Sequence, residues 1–258
     1  MIVTTVMRNF KEAEKTALRL APSINGRFEP RNKQSIAFML HKYQKPVLVV
    51  GTERMELFTS PDSKPFFFHP NSAMFRVKRL MKGQSDPFAQ AAGLSSGKTM
   101  LDCTLGLASD SIIASFAVGA EGRVCGLENN QEMAVIVKEG LQNWDTGIDE
   151  INRAMRSVKV VHAHHTGFLK NCSDSSFDVV YFDPMFEEPI DSEGMTPLKQ
   201  IALHEDLAEE AVFEALRVAK ERVVLKDHWK SARFEKFGFI QLKRRSASFH
   251  YGVIELKK

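Results

Sequence analysis

Thr99-Met100-Leu101-Asp102-Cys103-Thr104, followed by Leu105-Gly106-Leu107-Ala108-Ser109-Asp110, is the stretch on which the fold turns. Its first six residues predict a short strand with Asp102 near the carboxyl end, and its last six a tight turn. Ser111 to Val118 predicts a helix that lays Ile112, Ile113, Phe116 and Ala117 on a sheet. Gly119 and Gly122 break it. Arg123-Val124-Cys125-Gly126-Leu127 predicts the next strand, and Glu128 follows at once. This is a βαβ unit of roughly thirty residues with an acid closing its second strand. A carboxylate there offers two acceptor oxygens to the two hydroxyls of a ribose. Gly106 is the only glycine of the turn, so G-x-G-x-x-G is absent. A pyrophosphate needs several close backbone N–H groups, so the turn suits a ligand without phosphates. S-adenosylmethionine, made of adenosine, a sulfonium and an amino acid, is such a ligand. The plain alternative is a structural turn with Glu128 at the surface.

Outward from this unit the pattern repeats. Val158 to Val161 predicts a third strand, running into His162-Ala163-His164-His165. Phe177-Asp178-Val179-Val180-Tyr181-Phe182 predicts a buried fourth strand, stopped by Asp183-Pro184-Met185-Phe186 because proline cannot extend a central strand. Arg222 to Leu225 predicts a fifth, ending in Lys226. Between these two, Glu205 to Lys220 predicts a helix with Leu207, Ala211, Val212, Ala215, Leu216 and Ala219 on its apolar face. Phe239 to Lys243 and Phe249 to Leu256 predict a closing hairpin. The Asp-Pro-Met-Phe tetrapeptide joins a carboxylate, a backbone carbonyl stiffened by proline and a flat apolar ring. Such a set holds a planar heterocycle and accepts hydrogen bonds from its amino group; an ordinary Asp-Pro turn is the alternative.

Residues 66–258 resemble the small-subunit (16S) ribosomal RNA guanine-N2 methyltransferases and their Gram-positive relatives. The resemblance rests on Phe68-His69-Pro70, Arg76 and Arg79, Gly83-Gln84-Ser85-Asp86-Pro87, the Leu101–Asp110 run, Glu128, His162-Ala163 and Asp183-Pro184-Met185-Phe186. It implies an α/β, Rossmann-like class I methyltransferase fold: a seven-stranded, mostly parallel sheet with a closing antiparallel hairpin. It also implies S-adenosylmethionine as methyl donor and methylation of an exocyclic amine, guanine N2, in rRNA or the small ribosomal subunit. Carried over residue by residue, cofactor contacts fall on Ser109 and Asp110, Glu128 and Asn129, His164 and His165, and Asp183, with Asp102 and Gly106 of the same strand and turn counted among them. Asp183, Pro184 and Phe186 are the expected catalytic set. The chain departs from the family in Glu187-Glu188-Pro189 after the tetrapeptide and in two histidines where two serines are common. Other RNA amines, a protein glutamine amide, or a non-catalytic RNA-binding domain are the alternative readings.

Residues 1–65 predict a small N-terminal α/β unit: strands at Ile2–Met7 and Lys45–Val50, helices at Lys11–Leu20 and Ser35–Tyr43, and strands at Met55–Phe58 and Pro65–Phe68. The 258 residues, 43% hydrophobic, are enough for one α/β domain with this addition. Three cysteines without C-x-x-C spacing indicate neither a disulfide framework nor a zinc site. His162, His164 and His165 lack a carboxylate or cysteine at ligand spacing, so they read as loop lining rather than as a metal site. Ser95-Ser96-Gly97-Lys98-Thr99 is not a P-loop, since Ala92 stands where its first glycine belongs. No signal peptide is evident and no apolar run nears the roughly 18 residues of a membrane span, so a cytoplasmic enzyme is expected.

Net charge is only +3, but it is unevenly placed. Residues 226–258 hold nine Lys/Arg against three Asp/Glu, whereas residues 187–221 hold ten acids against three bases. A phosphate backbone is thereby drawn to one face and kept from another. Arg76 and Arg79, one helical turn apart, and Lys226 are the expected RNA contacts. For Lys226 the alternative is snorkelling at the sheet edge. The long acidic segment 187–203 is a candidate lid.

Overall fold

The computed structural model describes residues 1–8, 10–184, 206–245 and 247–256. The chain forms two compact units, one containing Met1–His69 and Gln131–Trp144, the other Pro70–Asn130 and the described residues from Asp145 onward.

The N-terminal residues supply β1 (Ile2–Thr5), α1 (Phe10–Leu20), a 3-10 turn (Ala21–Ile24), β2 (Arg27–Phe28), α2 (Ile36–Tyr43), β3 (Val47–Val50) and β4 (Met55–Phe58). They form a four-stranded sheet in the order β2-β1-β3-β4, with β4 alone antiparallel to its neighbour. Val47-Leu48-Val49-Val50 is buried throughout, as a short continuous apolar run requires of a central strand. Ser35 caps α2 rather than lying in it: its hydroxyl accepts the Phe38 N–H at 3.1 Å. The strand expected at Pro65–Phe68 reduces to one antiparallel bridge between Phe66 and Leu57. The run Phe66-Phe67-Phe68 alternates in burial yet makes no continuous ladder.

The second unit begins with α3 (Asn71–Met81) and α4 (Pro87–Ala91), followed by β5 (Thr99–Asp102), α5 (Ser109–Val118) and β6 (Arg123–Glu128). Helix α6 (Gln131–Asn143), next in sequence, groups with the N-terminal residues. Then come α7 (Asp149–Ser157), β7 (Val158–His162), α8 (His165–Lys170), β8 (Phe177–Phe182), α9 (Glu209–Val218), β9 (Ala219–His228), α10 (Arg233–Lys236), β10 (Ile240–Leu242) and β11 (Phe249–Glu255). The seven strands lie in the order β10-β11-β9-β8-β5-β6-β7. β7, β6, β5, β8 and β9 are mutually parallel, and β11 runs antiparallel to both β9 and β10. This is the sheet expected from the sequence, closing hairpin included.

One face of the sheet is covered by α8, α9 and α10. Leu101, Val180, Phe182, Val223 and Leu225 pack there with Leu169, Ala211, Val212, Ala215 and Phe234. On the other side α5 buries Ile112, Ile113 and Ala114 completely. β8 buries five of its six residues because both faces are covered and both edges paired. The sixth, Asp178, is anchored at the strand's start: Thr99 donates to it from N and Oγ1 at 2.7 and 2.8 Å, and Thr99 Oγ1 accepts the Asp178 N–H. That clasp sets β5 against β8.

Register then fixes what stands at the other end. Asp102 pairs with Gly126 and Tyr181, Glu128 with His162, and Phe182 with Leu225. One residue beyond the last pair, Asp183 and Lys226 come side by side. The carboxyl ends of the parallel strands thus gather Asp102, Glu128, His162, Asp183 and Lys226 at one edge, where open α/β sheets bind their ligands.

Candidate active site

Asp102 closes β5 and clamps the turn that follows. Its Oδ1 accepts the Thr104 N–H at 3.0 Å and its Oδ2 the Ser111 hydroxyl at 2.7 Å. Burial pushes its carboxyl up to about 7 against those two bonds. Thr104 reaches across to β8, where its hydroxyl accepts the Asp183 N–H at 2.6 Å. Within the turn Gly106 has φ +50° and Ala108 φ +60°. A Cβ built on Gly106 would meet only the Thr104 carbonyl, at 4.0 Å, so the turn is open above it.

Glu128 stands beside this opening. Its Oε2 accepts the Gly106 N–H at 3.3 Å and its Oε1 the Asn130 N–H at 2.8 Å. Burial raises its carboxyl above the usual range, opposed by those backbone bonds. Asn129 is held from behind, its carbonyl 3.1 Å from His162 Nε2. His164 caps α8, Nδ1 accepting the Thr166 N–H at 3.3 Å. Its ring stacks on His165 at 4.4 Å, and His165 sets its ring edge-on to Phe182. Ser109 opens α5, half-buried. An open glycine turn, a carboxylate with spare lone pairs and stacked rings at strand ends suit the adenosine of S-adenosylmethionine. No anion cradle of close N–H groups is needed for that ligand.

Asp183 follows β8, its side chain 26% exposed. Lys226 Nζ donates to its Oδ2 at 2.7 Å and lies 3.3 Å from Asp110 Oδ2. Asp110 is buried and also accepts Arg76 Nη1 at 2.5 Å and the Tyr181 hydroxyl at 2.8 Å. Arg76 in turn makes a two-pronged pair with Asp86, both contacts 2.8 Å. Asp86 caps α4, accepting the N–H groups of Phe88 and Ala89. Desolvation of Asp110 is outweighed by Lys226 and Arg76, which hold it well below the usual carboxylate range. Asp183 is pushed up to about 6, by burial first and by Asp110 as well, with Lys226 opposing.

Two expected RNA contacts are engaged within the protein. The Arg76 and Lys226 side chains are 20% and 17% exposed, and both are committed to carboxylates of the protein itself. A phosphate would have to break those pairs to reach them. Arg79 stays on the surface, donating to Gln84 at 2.9 Å. Asp110 joins the site, but its carboxylate is taken by three protein donors. Phe186 and the segment 187–203 lie outside the described residues; Asp183 and Pro184 lie within them, Pro184 buried. Sequence reasoning missed Thr104, Ser111, Tyr181 and Asp86. Tyr181 carried a signal, since a phenol in an otherwise apolar buried strand needs a hydrogen-bond partner. Among the described residues no group of three or more His, Cys, Asp or Glu is placed to hold a metal ion, and no helix is long and apolar enough to cross a membrane.

The family model SAM_MT, described as SAM-dependent methyltransferase, matches residues 32–244. The chain is 50% identical to the protein YpiP of Bacillus subtilis (strain 168) over 255 residues, 98% of this chain and 99% of that one. It is 30% identical to ribosomal RNA small subunit methyltransferase J of Vibrio vulnificus (strain YJ016), covering 69% of this chain and 74% of that protein. The namesake from Haemophilus influenzae (strain PittGG) is 28% identical over 73% and 76%. A crystal structure of the SAM-dependent methyltransferase NGO1261 from Neisseria gonorrhoeae matches with a TM-score of 0.63 at 15% identity, covering 99% and 96% of the two chains; it shows the shared fold.

Glu128→Gln keeps an oxygen for one of the Gly106 and Asn130 N–H groups, which meet different oxygens of the carboxylate, and loses the charge and the other acceptor. S-adenosylmethionine binding, measured by calorimetry, is expected to weaken by about 1.5–3 kcal/mol. The melting temperature of the unliganded protein is expected to change little. Unchanged affinity would remove Glu128 from the cofactor site.

Proposed function

We propose a substrate for a chain that belongs to the S-adenosylmethionine-dependent methyltransferase family: an exocyclic amine, guanine N2, of 16S ribosomal RNA. The family assignment makes the chain an enzyme with S-adenosylmethionine as methyl donor, which supplies an electrophilic methyl group on a sulfonium. The observation that carries the acceptor reading is Asp183: a carboxylate at the strand ends, followed by proline, and fixed from two sides by Thr104 and Lys226. The relatives named ribosomal RNA small subunit methyltransferase J support RNA as the acceptor's source.

The chemistry follows from the acceptor. The lone pair of an aryl amine is delocalised into its ring, and no carboxylate is basic enough to deprotonate it beforehand. The enzyme's contribution is alignment at near-contact distance. Lys226 occupies Asp183 Oδ2, leaving Oδ1 for one amine N–H; the Pro184 carbonyl takes the other. Both amine hydrogens held in this way turn the nitrogen lone pair toward the methyl. As the N–C bond forms and the S–C bond breaks, the nitrogen becomes acidic, and the proton it shares with Asp183 Oδ1 passes to that carboxylate. Phe186, outside the described residues, is the proposed ring against which the base stacks. The guanine leaves its helix or loop to reach this edge.

With Arg76 and Lys226 used internally, the RNA backbone needs other cations. A groove of about 700 Å³ runs between α4 and the β10–β11 pair, lined by Gln90, Gln241, Lys243, Arg244 and Tyr251 among others. The Arg244 guanidinium lies 5.3 Å over the Phe249 ring, and Lys226 Nζ lies 5.0 Å from the same ring. The basic groove therefore abuts the Asp183 site through one aromatic side chain.

Asp183→Asn keeps size and one oxygen but replaces charge with an NH₂ donor aimed at the amine. Single-turnover methylation of rRNA from cells lacking the enzyme is expected to fall about 30- to 1000-fold, far more than cofactor affinity falls. Near-normal turnover would sink the amine reading. Lys243→Ala with Arg244→Ala is expected to lower the salt dependence of RNA affinity by about two counterions. An unaltered slope would take the groove out of the RNA path.

A further inference from the structure

We propose that Lys226 is a positioning residue for methyl transfer: by bridging Asp183 and Asp110 it keeps Asp183 ionised and so able to accept from the substrate amine. The inference rests on the acceptor reading above and adds a residue that acts through Asp183 rather than on the substrate.

The geometry confines Lys226 to this task. Its ammonium contacts Asp183 at 2.7 Å and Asp110 at 3.3 Å, and the Phe249 ring covers it at 5.0 Å. An ammonium has three donors and no acceptor, so two carboxylates and an aromatic face suit it. Asp110 is itself immobilised: Arg76 holds Oδ1 and Tyr181 holds Oδ2. Arg76 is anchored by Asp86. The result is an alternating row, Asp86–Arg76–Asp110–Lys226–Asp183, drawn from α3, α4, α5, β9 and the end of β8.

The surroundings of Asp183 make the cation necessary. Asp110 of α5 and Asp227 of β9 both disfavour its ionisation. Asp102 of β5, Tyr181 of β8 and Tyr251 of β11 are electrostatically linked to it as well. Arg76 of α3 faces Asp110 and reaches Asp183 only through it. Lys226 is the cation in contact with Asp183 among the described residues. Desolvation disfavours the Lys226 ammonium, but Asp110 and Asp183 outweigh it and hold the amine above its ordinary range, so it stays charged wherever the enzyme works. A protonated Asp183 would present an O–H donor toward an amine whose own N–H groups need acceptors.

The test uses the full chain labelled with ¹³C at aspartate carboxyls, the Asp183 signal being assigned by its loss in Asp183→Asn. In the wild type Asp183 is expected to titrate near pH 6. In Lys226→Met its midpoint is expected to rise by about 1–3 pH units, and Lys226→Arg is expected to return it toward the wild-type value. Asp110→Asn supplies a second handle should Lys226→Met not fold: with one competing carboxylate gone, the Asp183 midpoint falls. In single-turnover methylation of rRNA, the acid limb of Lys226→Met moves alkaline with the carboxyl midpoint. Its rate is expected to drop about fivefold or more at pH 6 and to recover by pH 9. A purely structural lysine would lower the rate at every pH without moving the midpoint, and that result overturns the proposal. An unmoved midpoint overturns it too. If the midpoint moves while wild-type enzyme leaves rRNA unmodified, the RNA acceptor fails and the Lys226–Asp183 coupling stands.

Discussion

The site depends on one constraint: three acids, Asp86, Asp110 and Asp183, are gathered within a small region, and two cations are threaded between them. Removing a charge from water costs several kcal/mol, and a buried carboxylate without a partner costs more than a pair. Arg76 and Lys226 meet that demand by lying between acids rather than beside one. Each acid is also bonded to something fixed: Asp86 to the start of α4, Asp110 to Tyr181, Asp183 to Thr104. A buried ion pair is often no more stabilising than a well-packed apolar pair, so an alternating row next to a strand-end acid points to reactivity rather than to stability. Truncating Arg76 would leave Asp86 without its ion pair and Asp110 with Lys226 alone as cation, at a cost of about 3–5 kcal/mol, so loss of activity in such a variant would not identify an RNA contact.

The row exists because of register. Phe182 pairs with Leu225, and the next residues of both strands fall together as Asp183 and Lys226. A slip of one residue would send Lys226 to the opposite face. The Thr99–Asp178 clasp at the far end of β5 and β8 therefore bears on the chemistry at this one. At the end of β9, Asp227 is held by the Ser231 hydroxyl at 2.7 Å and by Arg233 at 3.0 Å. That second buried cluster fixes the backbone from which Lys226 projects.

Much of this was legible from residue patterns. The βαβ unit Thr99–Glu128, the strand after it, the fourth strand and the closing hairpin all announce themselves by apolar runs between glycine and proline stops. Glu128, expected just after its strand, is the last residue of β6, with its carboxylate bonded to the Gly106 and Asn130 N–H groups. β9 was underestimated: only Val223, Val224 and Leu225 look strand-like, yet the strand runs from Ala219 to His228. Pairing with β8 and β11 satisfies its backbone groups, and that pairing is invisible one residue at a time. The internal partners of Arg76 and Lys226 were hidden for a related reason. Arg76 meets Asp86 and Asp110, 10 and 34 residues away, and Lys226 meets Asp183, 43 away, beyond the reach of helical or strand spacing, so each looks like a lone surface charge in the sequence. The position of α6 with the N-terminal residues was illegible too, since an amphipathic helix does not declare which surface it covers.

The proposed reaction, methylation of a 16S rRNA amine at a carboxylate held ionised by Lys226, would leave a chemical record in the cell. Mass spectrometric mapping of modified nucleosides in 16S rRNA, from cells with and without the gene, reads that record directly. The account predicts that one N2-methylguanosine disappears in the deletion and returns when the wild-type gene, but not its Asp183→Asn form, is restored. An identical set of 16S rRNA modifications in the two strains would contradict it.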